Sequence, residues 1–287
     1  MKALERSFKM NIYAFADEAS ALMEEQIVAM KRNGLKGIEI RNVDGTNISD
    51  ISIEKAAEVY EKIKQAGLMV WSIGSPIGKI DIETDDFEVH LDKFRHTLEI
   101  AKVLDCKNIR LFSFYIPCGK NPYDYKNEVI RRLRLFVEIA KGTGIALCHE
   151  NEKGIYGDRA MRCLEIYKEV PEFKGIFDPA NFVQCGQDTK EAWKLLHPYI
   201  KYLHIKDAQE DGKVVPAGHG IGNLQYIMDS FRAHGGVDVS VEPHLSIFDG
   251  LQALELKEQV SRIDQFQYSD ADTAFDVACH ACKTLIR

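Results

Sequence analysis

Eight times along the chain a short run of β-branched or apolar residues is followed by a longer amphipathic pattern of helical period. No other feature restricts the fold as strongly. The runs are MNIYAFA from Met10, GIEIR from Gly37, LMVWSIG from Leu68, NIRLFSF from Asn108, IALCHE from Ile145, GIFD from Gly175, YLHIKD from Tyr202 and VDVSVEP from Val237. Strands separated by helices indicate βαβ units and a parallel sheet. Several helical segments end on glycine just before the next strand, in NGLKGIEI, AGLMVWSI, GTGIALCHE and HGGVDVSV. Glycine at a helix C-terminus supplies the left-handed conformation that lets the chain turn. Eight such units without a linker fit a closed (β/α)8 TIM barrel better than an open doubly wound sheet, and no GxGxxG or GxxxxGK[ST] follows the first strand. At 287 residues the chain suffices for one such unit, so a single domain over 1–287 is expected, with the barrel proper over about 10–250 and a C-terminal helical extension over about 259–287.

Composition narrows the partners. The formal net charge is -7, and no stretch concentrates Lys and Arg, so a nucleic-acid partner is not expected. No apolar run approaches about 18 residues, and MKALERSFK lacks the apolar core of a signal peptide. A soluble, cytoplasmic protein without membrane contact is expected. The seven cysteines are odd in number and scattered, which argues against a disulfide framework. The CxxC of Cys279 and Cys282 falls in a helical pattern and is read as packing or surface, not as a zinc site.

In a barrel of this kind the chemistry stands at the C-terminal ends of the strands. Four consecutive ends are polar after strongly apolar runs: His149, Glu150, Asn151 and Glu152 in the fifth; Asp178 and Asn181 in the sixth; His204, Lys206 and Asp207 in the seventh; Glu242 and His244 in the eighth. A closed sheet aims Glu150, Asp178, His204 and Glu242 at a common point. Three carboxylates and an imidazole suit Mn2+ first, with Mg2+, Co2+ or Zn2+ as alternatives. Without a cation the buried carboxylates would repel one another.

The segments CHENEKG, FDPAN, HIKDA and SVEPH, in that order and spacing, resemble the sugar isomerase/epimerase superfamily of xylose-isomerase-like barrels, over about Met10 to Gly250. This group includes D-tagatose 3-epimerase, hydroxypyruvate isomerase, inosose dehydratase and apurinic endonucleases. The resemblance implies one divalent ion held by Glu150, Asp178, His204 and Glu242, and Glu150 and Glu242 as an acid/base pair on opposite faces of a sugar. The implied reaction is isomerisation or epimerisation of a small sugar or sugar phosphate through a cis-enediolate. The endonuclease branch needs further histidines that the second and third strand ends, IEIRN and SIGSP, do not supply.

Other residues are expected around this centre. Lys206 points to the same strand face as His204 and is read either as a contact to a substrate hydroxyl or phosphate or as a neutralising charge. His149, Asn151 and Asn181 are candidate partners of the ligands, and Asn181 a substrate contact. Lys79 has a similar claim to the substrate, against a solvated loop lysine. Glu39 and Arg41 read as an ion pair or as inward-facing groups, and Asp17 as a helix N-cap. Phe114 is placed as an apolar wall against a sugar or, equally, as core; Trp71 is read as core. In VPAGHGIGN, His219 stands where relatives frequently carry an acid between the glycines, and the glycine amides offer a place for phosphate. Rival readings are an inosose-type dehydratase, an apurinic-endonuclease-like enzyme and a non-catalytic sugar-binding barrel. A homo-oligomer fits the pattern, with the C-terminal segment packing under the barrel or onto a neighbour.

Overall fold

The protein is described by a computed structural model over residues 9–247 and 268–286. Its centre is a closed barrel of eight parallel strands, β1 (Asn11–Ala14), β2 (Gly37–Ile40), β3 (Met69–Ile73), β4 (Asn108–Leu111), β5 (Ala146–Glu150), β6 (Lys174–Phe177), β7 (Ile200–Ile205) and β8 (Asp238–Val241), each hydrogen-bonded to its neighbours in sequence and β8 to β1. All eight expected runs are barrel strands. Around them lie helices α1 (Met23–Arg32), α2 (Ile53–Gln65), α3 (Phe87–Val103), α4 (Lys126–Ala140), α5 (Ala160–Glu169), the short α6 (Pro179–Gln184), α7 (Thr189–Leu196), α8 (Leu224–Ala233) and α9 (Ala271–Ile286).

Local sequence sets the helix limits. Ser52, Asp86 and Asp188 cap α2, α3 and α7 by accepting backbone N–H groups of the first turn. The inward stripe of α2, Ala56, Val59 and Ile63, follows the helical period. At the other end Gly67 takes a φ of 77°, and the amide of Leu68 reaches back to the Ile63 carbonyl at 3.1 Å; Gly34, with Leu35 on Met30, repeats the device after α1. These are the glycine stops that the sequence announces.

The strands alternate, with irregularities in register where β2 pairs with β3 and β6 with β7. Ile38, Leu111, Leu147, Phe177, Leu203 and Val241 face the helices and build the main core, while their neighbours face the barrel axis. The axis is filled in layers. Its floor is aromatic: Tyr13 stacks on Trp71 at 4.5 Å between ring centroids, and Tyr202 meets Trp71 edge-on at 5.9 Å. Above this floor the axial groups are mostly charged or polar, with the Phe15 ring among them. The C-terminal helix α9 packs against α1 and α8, so the segment expected as an extension belongs to the outer shell of helices; the part of that expectation over 259–267 lies outside the described residues. Cys279 and Cys282 are buried on its inner face. Among the described residues no helix is long and apolar enough to cross a membrane.

Candidate metal and active site

Period-two alternation carries Cys148 and Glu150 of β5, Tyr202 and His204 of β7 and Ser240 of β8 to the axis, with Asp178, Lys206 and Glu242 entering just beyond β6, β7 and β8. At the mouth, one donor atom from each of Glu150, Asp178, His204 and Glu242 lies within 4.8 Å of all the others, and all four residues are buried. The expected ligand set is therefore brought together. His204 Nδ1 lies 2.8 Å from Glu150 Oε1 and 3.7 Å from Glu242 Oε2. Asp178 has two tasks: Oδ1 accepts the Asn181 amide at 2.9 Å and caps α6, while Oδ2 faces the Lys206 ammonium at 2.8 Å.

Lys206 also reaches Glu242 Oε2 at 2.7 Å, so its charge lies between two of the three acids of the set. Arg110, from β4, was not singled out by the reading of strand ends. Its Nη1 stands 3.1 Å from Glu150 Oε2 and 3.4 Å from Glu242 Oε1, and the guanidinium is sandwiched between the rings of Phe15 and Phe112 at 4.9 Å each. Arg41 adds a contact of 3.3 Å to Glu242 Oε1 and binds Asp17 at 2.8 Å and Glu18 at 3.0 Å.

The electrostatics follow from this crowding. Histidines aside, six buried carboxylates, Asp17, Glu18, Glu39, Glu150, Asp178 and Glu242, face three buried cations, Arg41, Arg110 and Lys206. Burial raises the Asp178 pKa to about 7; Lys206 opposes this, and the charges of Glu242 and Glu150 add to it. Burial disfavours the charged form of Glu242 as well, but Lys206, His244, His204 and Arg110 outweigh it and hold that carboxyl well below the usual range. Burial opposes the charge on His204, and Glu150 and Glu39 overcome it, so its pKa lies well above the ordinary imidazole value. The donor set fits a divalent cation: hard oxygen donors, one imidazole, and a surplus of buried negative charge. A second group of donors, Glu18, Glu242 and His244, is closed by Arg41, which binds Glu18 and Glu242 at once.

The remaining candidates separate. Asn181 lies at the site: its side-chain amide donates to the Asn151 carbonyl at 3.0 Å and lies 3.5 Å from Glu150 Oε1. Asn151 in turn ties the backbone of Asp178 through two bonds of 2.9 Å. Lys79 stands further out, 3.0 Å from Glu152 Oε2 and 4.5 Å above the Phe112 ring. Burial works against the charge on Glu152, yet Lys79, Lys206 and Lys153 bring its pKa down to about 2. Beside the mouth, the loops after β5, β6 and β7 enclose a cavity of about 510 Å³ lined by Lys153, Arg159, Gln184 and Glu210 among others.

The packing decides between the remaining readings or corrects them. Phe114 is core: it is fully buried, packed on Phe87 and Phe136, because a φ of 65° turns the chain at the end of β4. His219 is exposed on the far side of its loop, in a groove of about 820 Å³ shared with α9 and Arg32. The inner side of that loop is taken by the Asp207 carboxylate, which accepts the amides of Gly218, Gly220 and Gly222 at 2.9–3.0 Å, so the place expected for phosphate is filled from within. Asp17 caps nothing with its side chain and binds Arg41 and Asn42 instead. His149 points outward, to Ser113 Oγ at 3.0 Å and the Tyr167 ring, as its place between Cys148 and Glu150 requires. Glu39 and Arg41 both face inward, Arg41 to Asp17, Glu18 and Glu242, Glu39 to His204 and Tyr202.

A family model described as a xylose isomerase-like TIM barrel matches residues 27–265. Among solved structures, the chain resembles the IOLI protein with a bound zinc atom (16% identity, TM-score 0.74, covering 96% of this chain and 98% of that one). It also resembles the probable 3-DHS dehydratase AsbF of Bacillus anthracis (17%, TM-score 0.71, 96% and 98%) and the 3-keto-D-glucoside 4-epimerase YcjR of E. coli (17%, TM-score 0.68, 96% and 99%). At such identities the likeness is one of fold. No curated protein matches the chain by sequence.

Proposed function

The chain belongs to the xylose isomerase-like TIM barrel family, and we propose that it is a divalent-metal-dependent isomerase or epimerase of a small sugar or sugar phosphate. The observation that carries this reading is the convergence of Glu150, Asp178, His204 and Glu242 from four consecutive strands, all buried, in a centre where, histidines aside, six buried carboxylates face three buried cations. These four residues would hold the ion. When bound, the ion supplies Lewis-acid stabilisation of the oxyanion charge that develops as a carbon-bound proton leaves. Manganese is the first choice for such a donor set, with zinc, present in the IOLI structure, as an alternative.

The chain's own residues divide the remaining work. Glu150 and Glu242 are the proton carriers, one removing a proton and the other delivering one to the opposite face or the adjacent carbon. Arg110 touches both and fixes the distance between them. Asp178 is tied to the start of α6 and to Lys206, which suits it to holding rather than moving a proton. Lys206 and Asn181 border the ligand set and are placed to meet substrate hydroxyls, with Lys79 and Glu152 at the rim.

A dehydratase reading shares the first proton abstraction and has a structural relative in AsbF. One experiment separates the outcomes. Protein loaded with Mn2+ is incubated in heavy water with ketoses, their phosphates and inososes, and products are followed by NMR. Deuterium at a single carbon of an isomeric product is expected; loss of water would move the protein to the lyases. Glu150→Gln is expected to lower kcat by roughly 10²- to 10⁴-fold. An unchanged rate in that variant overturns the catalytic reading.

A further inference from the structure

Glu39 lies beneath the four ligands and supplies no donor atom to them, yet it is fully buried in the barrel axis. We propose that Glu39 is the positioning residue of the metal centre, holding the His204 ring by Nε2 so that Nδ1 faces the ion. The inference rests on the metal-site reading given above.

Three observations carry it. First, the two nitrogens of His204 have separate partners: Nε2 lies 3.2 Å from Glu39 Oε2, whereas Nδ1 lies 2.8 Å from Glu150 Oε1, inside the ligand cluster. An acceptor fixed on one ring nitrogen keeps the proton there and leaves the other nitrogen's lone pair for a metal. Second, Glu39 is itself held. Its Oε1 accepts the Tyr202 hydroxyl at 2.7 Å, and that hydroxyl is 3.2 Å from Ser72 Oγ. Both carboxylate oxygens are thus engaged, and none is left for substrate. Third, the imidazole is clamped on its sides by the edge-on rings of Phe15 at 5.3 Å and Tyr202 at 5.6 Å, so its remaining freedom is rotation and tautomer, which Glu39 sets.

The test uses Co2+ as the probe on the full chain. In Glu39→Gln, which keeps the shape and removes the charge, Co2+ affinity measured by calorimetry is expected to fall about 10- to 100-fold. The visible absorption bands of the bound cobalt should shift, because the imidazole is no longer presented in one orientation. A merely structural role would lower thermal stability without altering the cobalt spectrum. Tyr202→Phe, which frees one Glu39 oxygen, should shift the same bands with a smaller loss of affinity. It decides the matter if Glu39→Gln does not fold. Wild-type affinity and an unchanged spectrum in the variants overturn the role of Glu39 and leave the metal site standing. Failure of the wild-type protein to bind Co2+ removes the metal-site reading and this inference with it.

Discussion

Arg110 is the only charged residue in the strand NIRL, and its guanidinium joins the two glutamates assigned to proton transfer. Removing one partner of a buried ion pair leaves the others uncompensated and costs about 3–5 kcal/mol. Arg110→Leu is therefore expected to destabilise the metal-free protein by that order in urea unfolding, and by clearly less in excess Mn2+, which supplies positive charge to the same carboxylates. Equal losses in the two conditions would count against a shared electrostatic site. Glu150, Asp178 and Glu242 were legible in the sequence because each closes an apolar run, and His204 because it stands one residue from the end of its own, where a polar side chain has no packing reason to be. Arg110 was hidden inside such a run. Counting inward positions by twos from Phe112 would have found it. Lys79, Phe114 and His219 lie in segments beyond the strands, where no period fixes the direction of a side chain, and only the first of them lies near the mouth.

At the scale of elements, α3 is pinned to the loop after β3 by a single imidazole. His90 Nε2 accepts the Gly78 amide at 2.7 Å, and Gly78 has a φ of 89° with no room for a Cβ against the Phe112 backbone. Burial, aided by the charge of Lys93, lowers the His90 pKa from its ordinary 6.5 to about 4. Between those values the unfolded chain binds the proton and the folded one does not. The stability so contributed is complete above pH 6.5 and is lost as pH falls through 4, by at most about 3 kcal/mol. Unfolding measured from pH 7 to pH 4 should show a steeper loss for the wild type than for His90→Gln; parallel curves would refute the assignment. The helix stops were readable, since glycine at φ near 57–86° after α1, α2 and α8 has a local cause. The role of Asp17 was not, because its partner Arg41 arrives from β2, 24 residues away.

For the whole molecule, the expected consequence of the buried charge surplus is a metal-free protein that is folded but weakened. Saturation with Mn2+ at about 1,000 times its Kd adds about 4 kcal/mol and should raise Tm on the order of 10 °C relative to protein treated with chelator. A Tm indifferent to the ion would contradict the proposed centre. The barrel itself was legible because each βα unit repeats the same local decisions eight times, so that no single misreading alters the total. The place of α9 was not legible: nothing in ADTAFDVACHACKTLI says which helices it will pack against, and that depends on the gap left between α1 and α8. The aromatic floor of the barrel has an optical consequence. Of the two tryptophans, Trp193 lies in the outer shell against Phe177 and Phe231, while Trp71 is coupled through Tyr202 to Glu39 and His204. One indole is therefore expected to report on the scaffold, and the other to change its fluorescence when the centre above it is occupied.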